Sequence, residues 1–412
     1  MPEATEAACA LWDDPAEPLP SVFRQRTEAE AYVASVCFKH GPPRLLGVEL
    51  EWTVHHADNP ARPLEPAHLA DALAPHTPQL LRSASPAHPL PSGASLTVEP
   101  GGQVEISSLP HHSLAALRTA VTADIDYLAE LLGRAGLALG SHGTDPHRTP
   151  RRLLRTPRYD AMERAFEPIG EHGITMMCST AAIQVCLDVG ERWQAAQRWS
   201  AIHALGPVLV AAFANSPVLG GKDTGWASSR LRSVLGTDEV RTVPGPTGVD
   251  PAEGWARRAL DTPLLCLRRA DGSWDAPPGM SFADWIDGAL PLPPTASDLD
   301  YHLSTLFPPV RPHGYYEVRY LDAQPLHSWF APVALLTALL DADDTTSAAL
   351  DACAPVADKW LRAARHGLAD TELARAAKRV FELGCQALEN TDLDAQTIAE
   401  LADGLDRRLH DN

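Results

Sequence analysis

Two glutamates spaced two residues apart, Glu49 and Glu51, lie in the stretch Leu45-Leu46-Gly47-Val48-Glu49-Leu50-Glu51-Trp52-Thr53-Val54. Leu46, Val48, Leu50, Trp52 and Val54 take the alternate positions, the period of a half-buried strand. Glutamate is depleted in strands, so two on one face, about 7 Å apart at strand rise, need a reason. A solvated outer face is one. A carboxylate face built for hard cations, which take oxygen ligands, is another.

Three further stretches repeat the pattern. In residues 96–107 a Pro100-Gly101-Gly102 turn is followed by Val104 and Ile106 on one side and Gln103, Glu105 and Ser107 on the other. The glycines permit a tight turn and close backbone approach to a ligand. Residues 177–188 read as a strand, with Ala181, Ile183, Val185 and Leu187 facing one way and Thr180, Gln184, Cys186 and Asp188 the other. Residues 314–322 place Glu317 and Arg319 on one face. If these strands share a sheet, Glu49, Glu51, Glu105, Gln184 and Glu317 line a bowl that also holds Arg319. Such a bowl suits two or more Mg²⁺ ions, which keep octahedral oxygen coordination and bridge nucleotide phosphates. Arg319, Arg230 and Arg232 are candidates to neutralise a transferring phosphoryl group or a substrate carboxylate. Gly220-Gly221-Lys222 lacks the leading glycine of a P-loop, so this is Mg-nucleotide chemistry by another route.

The elements that must position these residues are legible in outline. Residues up to Pro20 read as a loose arm. Thr27 with Glu30 makes a capping box for a first helix. Residues 59–95 read as an irregular excursion with one short helical piece near Leu69 to Leu73. Ser113 caps an amphipathic helix through Leu117, Val121, Ile125 and Leu132, ending near Gly133 and Gly136. A long helix spans about 191–213, with Pro207 inside it. Residues 271–300 read as loop, and beyond 331 the pattern is helical almost to the end. One catalytic domain over residues 1–412, with 331–412 its mainly helical part, is the expected organisation.

Composition sets the limits. The chain has 412 residues, 34 basic against 53 acidic, and a formal net charge of -19. That argues against a nucleic-acid partner, whose phosphates would need neutralising. The most apolar run, 208–214, is too short to span a bilayer. The seven cysteines are scattered without a C-x-x-C pair, as expected of reduced thiols in a cytoplasm. His55-His56 and His111-His112 read as surface or loop histidines, Trp193 and Trp199 as core, and Cys178 and Cys186 as buried fillers rather than nucleophiles. The basic run Arg148, Arg151, Arg152, Arg155, Arg158 reads as a solvated face with Arg158 the exception. The loop 140–147 reads either as a ligand contact or as a plain connection, and Glu99 either as a further metal-site acid or as a turn partner.

In order along the chain, Gly47-Val48-Glu49-Leu50-Glu51, Glu99-Pro100-Gly101-Gly102-Gln103-Val104-Glu105, residues 180–188, Phe213-Ala214-Asn215-Ser216-Pro217 and Tyr316-Glu317-Val318-Arg319 resemble the glutamate–cysteine ligases of the plant and bacterial type. Arg158-Tyr159-Asp160-Ala161-Met162 and residues 299–310 resemble that family too. The likeness covers about residues 44–340 and is nearest the actinobacterial variety that serves ergothioneine synthesis. It implies an α+β, glutamine-synthetase-like fold, an antiparallel sheet curved into a funnel and surrounded by helices. It implies ATP and Mg²⁺ as cofactors, glutamate and cysteine as substrates, and γ-glutamyl phosphate as intermediate. By the same likeness Glu49, Glu51, Glu105, Gln184 and Glu317 would hold metal and nucleotide. Arg319 would meet phosphoryl oxygens, with Glu317 beside it, and Arg230 or Arg232, Thr180 and Arg158 would bind substrate. A γ-glutamyl ligase with another amine acceptor, or a non-catalytic nucleotide- or amino-acid-binding relative, are the alternatives.

Overall fold

The computed structural model describes residues 22–83 and 87–410. The arm before Pro20, with Cys9, lies outside them. At the centre is a six-stranded sheet, antiparallel at every pairing. From one edge to the other its strands are Ser95–Val98, Val104–Ser107, Leu46–Trp52, Ala182–Asp188, Tyr315–Asp322 and Val310–Pro312. The four stretches singled out by their alternation are therefore four adjacent strands, and the short flanking pair close the edges.

Alternation decides which face packs. Val48, Leu50, Trp52, Val104, Ile106, Ile183, Val185, Leu187, Tyr316 and Val318 are buried; the helix Leu114–Arg134 packs on Leu46–Trp52, and the helix Arg192–Phe213 on Tyr315–Asp322. That helix is buried from Ala201 to Phe213 without a break, which fits a helix apolar all round. It runs through Pro207 as one element. Two tyrosines fasten sheet to helix: the Tyr316 hydroxyl donates to the Ala195 carbonyl at 3.0 Å, and the Tyr320 hydroxyl to the Ile202 carbonyl at 3.2 Å. Helices from Phe330–Leu339 to Ala395–His410 wrap the other side of Arg192–Phe213, and one apolar core runs from Phe23 to Leu405. No helix of the described residues is long and apolar enough to cross a membrane.

Several local expectations hold and several do not. Ser113 caps Leu114–Arg134, its hydroxyl accepting from the Ala116 amide at 3.2 Å. The first helix begins at Arg26, so Thr27 already lies inside it; Glu28 reaches back to the Gln25 amide at 3.2 Å, while Glu30 pairs with Arg26. Met177 to Ser179 end a helix, His172–Ser179, and the strand starts only at Ala182. A short apolar run fits either period, and here the apolar side chains pack sideways into a second cluster. Residues 271–300 are not all loop: Ser281 and Thr295 cap short helices that the proline-rich composition hides. Trp193 is 68% exposed while Trp199 is buried. His55 and His56 are buried rather than at the surface, His55 facing Asp145 at 3.3 Å and His56 the Arg62 guanidinium at 2.6 Å.

The Pro-Gly-Gly turn has a steric reason. A Cβ on Gly101 would sit 2.0 Å from the Cys178 carbonyl oxygen, a backbone atom with nowhere to move. Gly102 takes φ +88°, which favours glycine. Gln103 rivets the turn to the same helix end, its amide donating to the Thr180 carbonyl at 2.9 Å. Gly101→Ala is expected to cost about 2–3 kcal/mol or more, read as a lower urea midpoint; an unchanged midpoint would mean that the helix end yields.

Candidate active site

The other face of the sheet carries the polar residues, and the register brings them together. Glu51 lies opposite Glu105, and Glu49 opposite Gln184. Glu317 lies opposite Cys186 on one side and Arg311 on the other. Between Val318 and Leu321 the pairing shifts, so the strand carries an extra residue. Such bulges re-aim side chains beside sites; this one buries Tyr320 and Leu321 together and brings Asp322 toward the bowl's far wall.

Gln184 is the hub. Its amide nitrogen donates to Glu51 at 2.9 Å and to Glu105 at 3.1 Å, and its oxygen accepts from Arg319. Glu51 also accepts from the Ala182 amide at 2.9 Å, and Glu105 from the Thr97 hydroxyl at 2.8 Å. Glu317 is gripped by two guanidinium groups: Arg311 at 2.6 and 3.0 Å, and Arg319 at 3.1 Å. Glu49 and Glu99 accept no side-chain hydrogen bond from the described residues.

This division sets the electrostatics. Burial, and then the neighbouring carboxylates, raise Glu49 and Glu105 well above the usual range; burial and Glu99 push Glu51 up to about 7. Burial raises Glu99 as well. Burial works the same way on Glu317, but Arg311 and Arg319 outweigh it and hold that carboxyl at about 2. One acid of the bowl is thus ionised by its arginines, and the others await positive charge.

Among the described residues no group of three or more His, Cys, Asp or Glu side chains is arranged as a metal cage. The donor set still fits a hard cation: it is oxygen only, two carboxylates have no partner, and burial disfavours their charge unless a cation offsets it. Mg²⁺ uses one or two carboxylates together with substrate phosphates rather than an all-protein cage.

Of the remaining candidates, Arg230 is buried beside the bowl. Its Nη2 donates to the Arg319 carbonyl at 2.7 Å, while Nε and Nη1 have no hydrogen-bond partner. Asp322 lies 4.0 Å from it and is itself held by the Asn215 amide and the Ser216 and Ser228 hydroxyls at 2.9, 2.6 and 2.8 Å. Arg232, two residues on and so on the opposite side of the helix Ser229–Leu235, stacks over Trp226 at 5.1 Å. Thr180 donates to the Met176 carbonyl at 2.6 Å. Arg158 is tied to Ser304 and lies over Tyr301. The loop 140–147 bridges Asn215 to residues 179–181 through Gly143 and Asp145, so it braces the site's wall. Glu99 closes its turn by backbone bonds with Gln103 and Gly102, and its charge helps to raise Glu51 and Glu105. The sequence reading missed Arg311, Thr97 and Asp322. Arg311 had a signal, since it faces Glu317 across the turn at His313-Gly314; Asp322 had none, because the bulge reverses its side.

The fold superposes on a bifunctional glutathione synthetase from Pasteurella multocida with a TM-score of 0.52, at 12% identity, covering 92% of this chain and 49% of that one. An antiparallel sheet packed on helices, in the glutamine-synthetase-like manner, is the class. Within it, residues 45–409 match glutamate–cysteine ligase family 2, and the chain belongs to that family. It is 39% identical to the glutamate–cysteine ligase EgtA of Mycolicibacterium smegmatis over 94% of this chain and 88% of that protein. Identity to EgtA of Mycobacterium tuberculosis strain H37Rv is 38%, over 99% and 93%. The chloroplastic glutamate–cysteine ligase of Arabidopsis thaliana is 32% identical over 76% of this chain and 60% of its own length. The family resemblance read from the motifs holds, and the chain is an ATP-dependent ligase rather than a non-catalytic relative.

The shifted acids make stability depend on pH in opposite windows. Glu51, raised from 4.5 to about 7, contributes stability that is full below 4.5 and lost as pH rises through about 7. Glu317, lowered from 4.5 to about 2, contributes stability present above 4.5 and lost as pH falls toward 2. The melting temperature of metal-free protein is therefore expected to fall between pH 5 and 8, and Glu51→Gln to flatten that fall while abolishing turnover. A wild-type profile flat across the window would contradict the assigned burial of the bowl.

Proposed function

We propose that the protein joins the γ-carboxylate of glutamate to the amine of cysteine at the expense of ATP, giving γ-glutamylcysteine, ADP and phosphate. The observation that carries this is the register that sets Glu49, Glu51, Glu105, Gln184, Glu317 and Arg319 on one face of one sheet. A γ-carboxylate oxygen attacks the terminal phosphorus of ATP; the bond to ADP breaks, and γ-glutamyl phosphate forms. The cysteine amine then attacks the acyl carbon, loses a proton, and phosphate leaves. Little covalent work falls to the protein, so it positions groups and screens charge.

Glu49, Glu51, Glu105, Gln184 and Glu317 would hold Mg²⁺, which would screen the charge of the nucleotide phosphates. Arg319, steadied by Gln184 and Glu317, meets the transferring phosphoryl oxygens. Arg230 binds the substrate glutamate, since a carboxylate would give hydrogen bonds to the two buried nitrogens that have none, Nη1 having only Asp322 at 4.0 Å; Arg232, on Trp226, is the poorer candidate. Thr180 can still accept from substrate while donating to Met176, and Arg158 supplies a further fixed charge. The likeness to the EgtA proteins supports a role in ergothioneine synthesis in the cytoplasm, within one catalytic domain that needs neither nucleic acid nor membrane. A different amine acceptor is the one competing reading that these residues leave open.

Phosphate release from Mg-ATP and glutamate is expected to require cysteine and to yield γ-glutamylcysteine. Release driven by another amine would keep the chemistry and move the substrate. Arg319→Met is expected to lower kcat by about 10²–10³-fold with little change in the KM of cysteine; full turnover in that variant would sink the phosphoryl assignment.

A further inference from the structure

The long helix Arg192–Phe213 ends at the wall of the bowl, and a distant part of the chain finishes that end. The last carbonyls of a helix have no partner within it, and this helix carries no basic residue of its own in its last turn. The Ala212 carbonyl accepts from Arg408 Nη1 at 3.3 Å, and the Phe213 carbonyl from the Gln324 amide at 2.8 Å. Arg408 Nη2 donates to the Gln324 side-chain oxygen at 2.6 Å, and its guanidinium lies 4.6 Å from the Phe213 ring centroid. Arg408 stands in the last turn of the helix Ala395–His410, 196 residues beyond Ala212. A cation at a helix C-terminus is favoured by the dipole as well as by the free carbonyls. Arg407 and His410 of the same turn are exposed, so among its basic residues Arg408 is the one turned inward.

From this clasp a chain of hydrogen bonds leads to Arg230. The buried Gln324 amide also donates to the Asp322 carbonyl at 3.1 Å. Asn215, two residues past the helix, donates from its side chain to the Ala323 carbonyl at 2.7 Å. Residues 212–216 are thus stitched to residues 322–324 along the backbone as well as through the Asp322 carboxylate. Ser216 then carries the next helix: its hydroxyl accepts from the Arg230 amide at 3.1 Å and its carbonyl from the Ser229 amide at 3.0 Å. The first turn of Ser229–Leu235, with Arg230 in it, hangs from this joint.

We propose that Arg408 is a positioning residue for the glutamate seat: the final helix clasps the junction of residues 212–216 with 322–324, and the clasp fixes the direction in which Arg230 points. The inference rests on the reading of Arg230 as the glutamate-binding guanidinium and deepens it. Arginine suits the task because its rigid fork donates in two directions at once, to a carbonyl and to Gln324, where a lysine is a single point of charge. The acids of the bowl and Arg319 are set by strand register, so loss of the clasp is felt by glutamate and not by the nucleotide.

Initial rates on the full chain, with glutamate and ATP varied in turn, test this. Arg408→Met keeps an apolar stem against Phe213 and removes both donors. It is expected to raise the KM of glutamate about tenfold, with the KM of ATP and kcat at saturating glutamate within about twofold. Arg230→Met is expected to raise the KM of glutamate about 10²-fold. Adding Arg408→Met to it is expected to change that value by less than about twofold, because two residues acting through one contact are not additive. Arg408→Lys keeps a cation at the helix end and serves where the methionine variant does not fold; its KM for glutamate is still expected to rise about threefold or more. Fully additive effects, a KM of ATP that rises as far as that of glutamate, or a wild-type glutamate KM in Arg408→Lys would each overturn the proposal. An Arg230→Met enzyme with unaltered glutamate KM would remove the parent assignment of Arg230 instead, whatever the Arg408 variants do.

Discussion

Everything at the centre of this protein depends on crowding carboxylates on one face of a sheet. Neighbouring strands bring side chains within about 5 Å, so Glu51 faces Glu105 and both share Gln184. Like charges at that range in a partly desolvated cleft repel strongly. The fold meets this in two ways. Glu317 receives two guanidinium groups and ionises; the others lose acidity, and of these Glu51 and Glu105 are held by hydrogen bonds from an amide, a hydroxyl and a backbone N–H. A site with this unevenness is only half balanced by its own residues, and a bound hard cation would supply the missing positive charge.

The rest of the structure keeps that unfavourable arrangement from relaxing. The opposite face of the same strands is buried without a polar exception from Val48 to Val318, against a helix that is itself buried over its second half. Moving one strand by one residue would turn its acids into the core, so the apolar face fixes the position of every acid. Asp322 does similar work at the wall. By drawing in Asn215, Ser216 and Ser228 it ties the end of the long helix and the following loop to the sheet, and so fixes the backbone that aims Arg230.

The alternation of residues 46–54, 103–107, 182–188 and 315–319 was enough to identify four strands and the face each presents, because the period of two is a local property. That they lie side by side is not a local property, and in the sequence only the family likeness implies it. What escaped the sequence was of one kind. The edge strand with Arg311 is three residues long, too short to show a period. The bulge after Val318 changes phase within a strand, so Asp322 could not be placed by counting. His172–Ser179 was hidden because eight residues of mixed apolar character fit a strand as well as a helix. Buried histidines such as His55 depend on a partner, Asp145, ninety residues away in sequence.

The sheet's margins have a bearing on behaviour in crowded solution. One edge strand, Ser95–Val98, runs directly into Glu99-Pro100; the other, Val310–Pro312, follows Pro308-Pro309 and ends in proline. Proline offers no amide hydrogen to a visiting strand, and short edges give such a visitor little to align with. A sheet whose interior concentrates so much β-forming sequence would otherwise invite a second molecule to add to it. These prolines make the sheet finite, so the same stretches that assemble the bowl are kept from serving as a template for aggregation.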